Sequence, residues 1–482
     1  MSFKKDTPRL SHSCQKKFSF PSSKEAHFGF ELFSSPRFPL STKGLKQAKV
    51  RKVLSGASLM HEMTNEFPMV RHVPYMGVIW TVAEASKLGF YNGHPDWCNV
   101  GQGQPEVGEI PGAPARIMDV QMQPFDAAYG PLGGSMEVRD AIADWINRTY
   151  RRGMSQYSAE NISFAAGGRL ALTRLFGIFN DGARIAYKNP DYTAYEDYLY
   201  PLRRSCELLE LRAEETDGFT IPDARFEEFM RQVRPDAFIF SNPCNPTGQA
   251  IQGESMQRYI AAARDANCLL SADEFYANFA FNEDSTPAQD PISALPYVED
   301  VDRDPVIVFD GLTKGFRYPG WRAGWAVGPK YVIEMINRAA SAVDGGPATM
   351  VQRATIQALA KGQAEEELAA TRAEFAIKRK MMIEGLAALG IKTASHPPLG
   401  TFYVWANIGE LPGKLADADY FFHECLKKKV ITVPGHFFDV RPYRVRPTDE
   451  PYRHWVRFSY GPNRQTIQTA LERIAHVIAE HR

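Results

Sequence analysis

The residues best suited to chemistry lie in one short stretch, FDGLTKGFRYPGWRAGW, from Phe309 to Trp325. It sets one lysine and two arginines among five aromatic residues and four glycines. A lysine in an aromatic pocket near another cation has a lowered pKa and becomes an amine nucleophile. An arginine eight residues later, beyond a Pro-Gly turn, can fold back and bind a phosphate with two hydrogen bonds. Lys314 and Arg322 are therefore the first candidate site residues.

Three other polar or glycine-rich stretches follow short, nearly unbroken apolar runs. The stretches are GGR with Gly168 and Arg169, NPCNPTG with Asn245, and SADEFY with Asp273 and Tyr276. The apolar runs, including the one before Lys314, are Ile162–Ala166, Ala237–Phe240, Cys268–Leu270 and Val306–Phe309. Such runs predict strands buried on both faces, as in a parallel sheet covered by helices.

Apolar residues at helical spacing alternate with these runs and predict the covering helices. The helical positions are Val138, Ile142, Trp145 and Ile146, then Leu368 to Leu389, then Ile467, Leu471, Ile474 and Ile478 with Asn463 as cap. The pattern indicates an α/β fold with an open, mostly parallel sheet. Ligands bind beyond the carboxyl ends of strands in such sheets, so the four stretches should converge on one pocket.

Each stretch alone also has an ordinary structural explanation. GGR suits a strand-to-helix turn, although its glycines and the helix N-terminus would equally admit an anion. Asn245 stands between prolines and suits a rigid turn. A buried Asp273 needs a partner, which a buried arginine or a protonated ring nitrogen would supply. A ligand with a phosphate, a protonated ring nitrogen, a phenolic oxygen and an aldehyde would use all the stretches, and pyridoxal 5′-phosphate has all four.

In this combination the motifs resemble those of the fold-type-I, class I/II family of pyridoxal-phosphate aminotransferases. The resemblance runs from about Gly101 to Ser459 and so covers most of the chain. It rests on Asn-Pro-x-Asn-Pro-Thr-Gly, then Asp-x-x-Tyr, then Thr-Lys with an arginine eight residues on and a glycine two after that. An aminotransferase of this family would move an amino group between an α-amino acid and a 2-oxo acid.

The resemblance implies roles around the cofactor ring. Lys314 is similar to the lysine that forms the Schiff base and then moves the proton of the substrate α-carbon. Asp273 is similar to the carboxylate that keeps the pyridine nitrogen protonated. Asn245 and Tyr276 resemble the pair that hydrogen-bonds the phenolic oxygen, and Tyr192 resembles the aromatic residue that stacks on the ring.

The resemblance also implies ligands for the two anionic groups. Gly168 and Arg169 would offer backbone N–H groups to the phosphate, and Arg322 its guanidinium. Arg457, in VRFSYG, resembles the arginine that pairs with the substrate α-carboxylate. Gly103, in GQGQPEV, resembles the segment that closes over that carboxylate.

One further position concerns the assembly. Tyr129 matches a tyrosine that reaches across a dimer interface to the neighbouring phosphate, so a homodimer with shared active sites is expected.

Another position departs from the family. The family usually has a serine three residues before the lysine, where this chain has Gly311. One phosphate contact is therefore missing or supplied elsewhere, for instance by Thr313.

The expected architecture is the pyridoxal-phosphate transferase fold of type I, a large domain with a mostly parallel seven-stranded sheet between helices and a smaller α/β domain. The expected segments are a basic extension (1–58), the small domain (59–125 and 366–482) and the large domain (126–365). No metal, membrane or nucleic-acid partner is expected. Six scattered cysteines favour a reducing, cytoplasmic location, although the basic N-terminus leaves organellar targeting open.

Two other activities fit parts of the sequence. The same residues would serve a C–S lyase or an enzyme like aminocyclopropane-carboxylate synthase, because all share the first proton abstraction. A transcriptional regulator with an aminotransferase-like domain is suggested by residues 1–52, which carry twelve Lys/Arg against three Asp/Glu. The first 58 residues, however, show no pair of amphipathic helices joined by a turn.

Overall fold

The computed structural model describes residues 69–394, 397–446, 448 and 450–482. The chain divides into two units at residue 72, and all the elements below belong to the second, residues 73–482. The expected basic extension, residues 1–58, lies outside the described residues.

The second unit is built from helices and strands that alternate along most of its length. The helices are α1 (Gly77–Lys87), α2 (Met136–Tyr150), α3 (Gly168–Phe176), α4 (Ala194–Leu202), α5 (Asp223–Val233), α6 (Gly253–Ala266), α7 (Lys330–Val343), α8 (Thr349–Ala358), α9 (Gln363–Ala388), α10 (Ala418–Lys427) and α11 (Arg464–Glu480). The strands are β1 (Cys98–Asn99), β2 (Ile162–Ala165), β3 (Arg184–Asn189), β4 (Glu207–Arg212), β5 (Ala237–Ser241), β6 (Leu269–Asp273), β7 (Val306–Gly311), β8 (Gly324–Val327), β9 (Lys392–Thr393), β10 (Tyr403–Asn407), β11 (Val430–Ile431), β12 (Val433–Pro434) and β13 (Trp455–Ser459).

A seven-stranded sheet with the strand order β2-β8-β7-β6-β5-β3-β4 forms the centre of the unit. All its strand pairs are parallel except the two that involve β8. Since β8 runs against both neighbours, β2 runs parallel to β7, and the six other strands end at one edge, called the carboxyl edge below. This confirms the expected mostly parallel sheet.

The central strands are buried on both faces, as the unbroken apolar runs predict. Val308 belongs to one hydrophobic core cluster, and the next residue, Phe309, belongs to the other. Helices cover each face because successive side chains of a strand point to opposite sides. The sheet is therefore a rigid platform whose carboxyl edge can hold side chains in place.

The helices form where the apolar spacing predicts them. In α2 the side chains of Val138, Ile142, Trp145 and Ile146 are all buried. The side chain of Asn463 caps α11 by accepting a hydrogen bond from the Thr466 backbone N–H at 2.9 Å. Among the helices that the structure describes, none is both long and apolar enough to cross a membrane.

A smaller four-stranded sheet with the order β12-β13-β10-β9 is antiparallel throughout. Strand β13 pairs with β10 over five residues, and Arg457 lies directly opposite Trp405. This sheet presents the side chains of β10 and β13 to the carboxyl edge of the larger one, as the contacts below show.

Candidate active site

A cavity of about 230 Å³ lies at the carboxyl edge of the seven-stranded sheet. Ten of the eleven residues singled out in the sequence line it: Gly103, Gly168, Arg169, Tyr192, Asn245, Asp273, Tyr276, Lys314, Arg322 and Arg457. Tyr129 does not line it and is fully exposed on the single chain. The lining also includes residues of α1 and β10 that the sequence did not suggest.

Lys314 follows β7 directly, and the turn after this strand brings its amine into the cavity. The amine donates a hydrogen bond to the carbonyl of Gly103 and lies 5.8 Å from the centre of the Tyr276 ring. Burial, together with the charges of Arg457 and Arg322, lowers the pKa of Lys314 to about 7. A large fraction of this amine is therefore unprotonated and nucleophilic near neutrality.

The start of α3 and the guanidinium of Arg322 form one end of the cavity. A Cβ on Gly167 would lie 2.5 Å from Nη2 of Arg322, and a Cβ on Gly168 would lie 2.3 Å from the Phe275 ring. Only glycines allow this close approach, which leaves free backbone N–H groups at the helix N-terminus beside a cation. This arrangement suits an anion such as a phosphate.

The hydroxyl of Thr313 supports the same conclusion. Its Oγ1 is buried and has no hydrogen-bond partner within the described part of the chain, and the residue lines the cavity. A buried hydroxyl without a partner is costly, so a bound acceptor would stabilise it.

Gly311, the position that departs from the family, is enclosed by the backbone of the neighbouring strand. A Cβ there would lie 2.4 Å from the carbonyl oxygen of Ala323 and 2.7 Å from Cα of Gly324. A serine cannot fit without moving β8, which pairs with β7 at this point. The absence of the usual serine thus follows from close strand packing.

Asp273 ends β6 and is 5% exposed. The hydroxyl of Tyr195 donates to its Oδ2 at 3.2 Å, and the structure describes no arginine paired with it. Burial, reinforced by the nearby Asp191 carboxyl, raises the pKa of Asp273 to about 7. A protonated ring nitrogen would supply the missing counter-charge. The other partner considered from the sequence, a buried arginine, is not found beside Asp273 among the described residues.

Asp191 is a buried carboxyl that the sequence did not reveal as part of the site. It accepts hydrogen bonds from the backbone N–H groups of Tyr192 (2.7 Å) and Ser241 (3.1 Å) and from the hydroxyl of Ser241. The Ser241 hydroxyl in turn accepts from the backbone N–H of Asn245 at 3.0 Å. Burial raises the pKa of Asp191 to about 6. Asp191 therefore ties together two segments that carry predicted site residues.

Arg457 forms the other end of the cavity and is 2% exposed. Its Nη1 donates to Oδ1 of Asn245 at 2.9 Å, and its Nη2 donates to the carbonyl of Gly101 at 2.8 Å. The guanidinium lies over the ring of Tyr403, 3.9 Å from its centre. A buried guanidinium held by neutral acceptors keeps its full charge for an incoming carboxylate.

Tyr276 and Tyr403 meet beside this arginine. Their hydroxyl oxygens are 2.8 Å apart, and both side chains are buried. Tyr192 also lines the cavity, hydrogen-bonds the side chain of Arg169 and raises the pKa of its guanidinium. Three tyrosine side chains thus line the cavity.

Arg317, three residues after Lys314, belongs to a buried ion network. Its guanidinium binds both carboxylate oxygens of Glu367, at 2.8 and 3.2 Å, and donates to the carbonyls of Glu106 and Gly108. Arg116 binds the same carboxylate at 2.8 Å. This network fixes the turn that carries Lys314 against the segment that carries Gly103.

Comparison with known proteins places the chain in a family. A family model described as aminotransferase class I and II matches residues 95–474, and the chain belongs to this family. The aspartate/prephenate aminotransferase of Thermus thermophilus is 28% identical over 356 residues, which cover 73% of this chain and 83% of that protein. LL-diaminopimelate aminotransferase 2 of a Nostoc species is also 28% identical, over 65% of this chain and 77% of that protein.

Solved structures share the fold. The aspartate aminotransferase of Thermus thermophilus with maleate aligns with a TM-score of 0.67 and 24% identity, over 84% of this chain and 97% of that one. An aminotransferase from Mycobacterium tuberculosis aligns with a TM-score of 0.68 and 22% identity, over 85% and 97% of the two chains. The protein has the type I fold of pyridoxal-phosphate enzymes and is a pyridoxal-phosphate-dependent aminotransferase that acts on amino and 2-oxo acids.

Proposed function

We propose that Lys314 is the catalytic residue of this aminotransferase and that the residues around it hold pyridoxal 5′-phosphate as their types suggest. The observation that carries the proposal is that the Lys314 amine, the Asp273 carboxyl and the Arg457 guanidinium all face one cavity. These are the three charges that the cofactor aldehyde, the ring nitrogen and a substrate carboxylate require.

The phosphate is held at the N-terminus of α3 by the backbone N–H groups of Gly168 and Arg169 and by the guanidinium of Arg322. The partnerless hydroxyl of Thr313 donates to the same group, which compensates for the missing serine at Gly311. At the other end of the cofactor site, Asp273 holds a proton on the ring nitrogen, and its raised pKa favours a shared proton there.

Asn245 and Tyr276 would bind the phenolic oxygen, and Tyr192 would stack on the cofactor ring. Pyridoxal phosphate supplies an electron sink that stabilises negative charge at the substrate α-carbon. The Lys314 amine would take the proton from the substrate α-carbon and, as the ammonium, would carry it to C4′ of the cofactor. Its lowered pKa suits an amine that must both accept and release a proton near neutrality.

Arg457 binds the substrate α-carboxylate, and the segment around Gly103 closes over it. Arg457 is already ordered by Asn245 and Gly101, so little side-chain entropy is lost when the carboxylate binds.

We extend the proposal to the assembly. Tyr129 is fully exposed on the single chain, as is expected of a residue that reaches the phosphate of a second copy in a homodimer. The proposal includes a small domain (59–125 and 366–482) and a large domain (126–365). It also includes a cytoplasmic location.

The test is substitution of Lys314. The Lys314→Ala protein should lose the visible absorbance of the lysine-bound cofactor and at least about a thousandfold of its turnover, because both the nucleophile and the proton carrier are absent. Lys330→Ala, an exposed lysine paired with Glu160, is the matched control and should behave as the wild type. Normal turnover of Lys314→Ala would overturn the assignment.

The same preparation separates transamination from lyase chemistry. Formation of the 2-oxo acid should depend on an added amino acceptor and match it in amount. Release of ammonia without an acceptor would contradict the transaminase assignment for the substrate tested.

A further inference from the structure

Tyr403 is placed between the two groups that would recognise the cofactor oxygen and the substrate carboxylate. It begins β10 and is fully buried. Its hydroxyl lies 2.8 Å from that of Tyr276, and its ring lies 3.9 Å from the guanidinium carbon of Arg457. The proposed function assigns it no role.

The number of protons decides which hydroxyl donates. Each tyrosine hydroxyl has one proton to give and can also accept. Burial raises the pKa of Tyr276 well above its ordinary value, and burial also raises that of Tyr403, so both hydroxyls keep their protons at working pH. If Tyr276 donates to the phenolic oxygen of the cofactor, the proton in the 2.8 Å contact must come from Tyr403.

We infer that Tyr403 is a positioning residue that donates to Tyr276 and so strengthens the hydrogen bond from Tyr276 to the phenolic oxygen. The inference rests on the proposed function, which assigns Tyr276 to that oxygen. The order of donation is Tyr403 to Tyr276 to the cofactor. A hydroxyl that accepts one hydrogen bond becomes a stronger donor in the next, and the effect is larger where water is excluded.

The charge beside the pair favours donation by both hydroxyls. Arg457 packs directly on the ring of Tyr403, and its positive charge opposes the rise in pKa that burial causes at both tyrosines, which makes each hydroxyl a better donor. Lys314 lies 5.8 Å from the ring centre of Tyr276, and Tyr192, which lines the same cavity, interacts electrostatically with both tyrosines. These are the titratable groups that face the pair, and the structure gives no carboxylate in contact with either hydroxyl among the described residues.

The consequence is measurable as a change in the bound chromophore. A weaker hydrogen bond to the phenolic oxygen leaves more negative charge on it, which favours a proton on the nitrogen that links the cofactor to Lys314. The pH midpoint of the visible absorbance of the holoenzyme should therefore rise when the Tyr403 hydroxyl is removed. A merely structural role would not move this midpoint.

The experiment titrates the absorbance of the holoenzyme against pH in four proteins: wild type, Tyr403→Phe, Tyr276→Phe and the double variant. Tyr403→Phe should raise the midpoint by about half a pH unit, and Tyr276→Phe by more, because it removes the direct donor. The double variant should match Tyr276→Phe alone, since Tyr403 acts only through Tyr276.

Tyr460→Phe is the matched control. Tyr460 is equally buried, and its hydroxyl donates to the carbonyl of Thr401, not to a cavity residue. It should leave the midpoint unchanged, and thermal melting of each variant checks that folding is intact.

Three results would overturn the inference: no shift in Tyr403→Phe, a downward shift, or equal shifts in Tyr403→Phe and Tyr460→Phe. Additive shifts in the double variant would also overturn it, because they would mean that Tyr403 acts independently of Tyr276. A wild type with no titratable absorbance would instead contradict the proposed function, so the two failures are distinguishable.

Discussion

The two ends of the cavity are built in opposite ways. At the end formed by Arg457, Asn245 and Tyr403, called the carboxylate end here, every side chain is buried, Arg457 donates a hydrogen bond to Asn245, and its guanidinium packs on the ring of Tyr403. At the end formed by the start of α3 and Arg322, called the phosphate end, Arg169 and Arg322 are exposed. The carboxylate end is already ordered in a single chain, although Nε of Arg457 has no hydrogen-bond partner among the described residues. The phosphate end is left for the cofactor and, by our proposal, a second copy to complete.

The difference follows from where the residues come from. The carboxylate end joins β13 to the turn after β5, and strand pairing holds Arg457 in place. The phosphate end consists of a helix start and a turn in which Arg322 has a left-handed backbone with φ of 56°. We therefore expect loss of the Arg457 guanidinium to act mainly on substrate binding and substitutions at the phosphate end to act on cofactor affinity.

The largest effect is expected from Arg457→Met. Loss of the guanidinium should lower kcat/KM for the amino acid about a hundredfold or more, because the carboxylate then enters a buried site without a counter-charge. The affinity for pyridoxal phosphate should stay close to the wild-type value. Steady-state kinetics and cofactor titration measure the two quantities. Arg473→Met, at a surface ion pair with Asp96, is the control. Equal losses in both quantities would break the distinction between the two ends.

A smaller effect of the opposite kind is expected from Tyr129→Phe. Removing one hydroxyl from the phosphate end should weaken cofactor binding about tenfold, the size of one hydrogen bond to a charged group. The KM for the amino acid should change little. Cofactor titration of the cofactor-free protein measures it. Tyr331→Phe, which removes an exposed hydroxyl on α7, should bind the cofactor like the wild type. An unchanged affinity of Tyr129→Phe for pyridoxal phosphate would contradict the proposal that two copies of the chain share each active site.

The smallest effect concerns pH. The pKa of about 7 at Lys314 means that its amine is already about half unprotonated at pH 7. The rate at which the cofactor-free protein takes up pyridoxal phosphate should rise no more than about twofold between pH 7 and 9, whereas an ordinary lysine would give a rise of about a hundredfold. Stopped-flow absorbance would measure the rate. A continued steep rise above pH 8 would show that burial and the cations at the two ends do not lower the pKa of this amine.

The sequence was sufficient to predict those cavity residues that lie at the end of a strand or in the turn after it. Lys314, Asp273 and Asn245 each follow an apolar run. Their convergence on one cavity could be predicted because ligands bind beyond the carboxyl ends of the strands in such a sheet. The strand-to-helix turn expected at GGR is short: Gly167 caps α3, and Gly168 is already its first residue.

The residues that sequence reasoning missed depend on contacts between distant segments. Tyr403 meets Tyr276 across 127 positions, and Asp191 meets Ser241 across 50. Arg317 had no role that spacing could suggest, since Glu367 lies 50 positions away on α9. No local pattern records such pairs; for Asp191 the one available signal was its place beside the predicted Tyr192.

Gly311 has a consequence for how this chain can change. Because a Cβ there meets the backbone of β8, a serine cannot be introduced until the pairing of β7 with β8 has shifted. That shift would move Gly324 and the turn carrying Arg322, so the gain of one phosphate ligand would disturb another. A single substitution can therefore strengthen cofactor binding more easily at a side chain that already reaches the cavity, such as Thr313, than at Gly311.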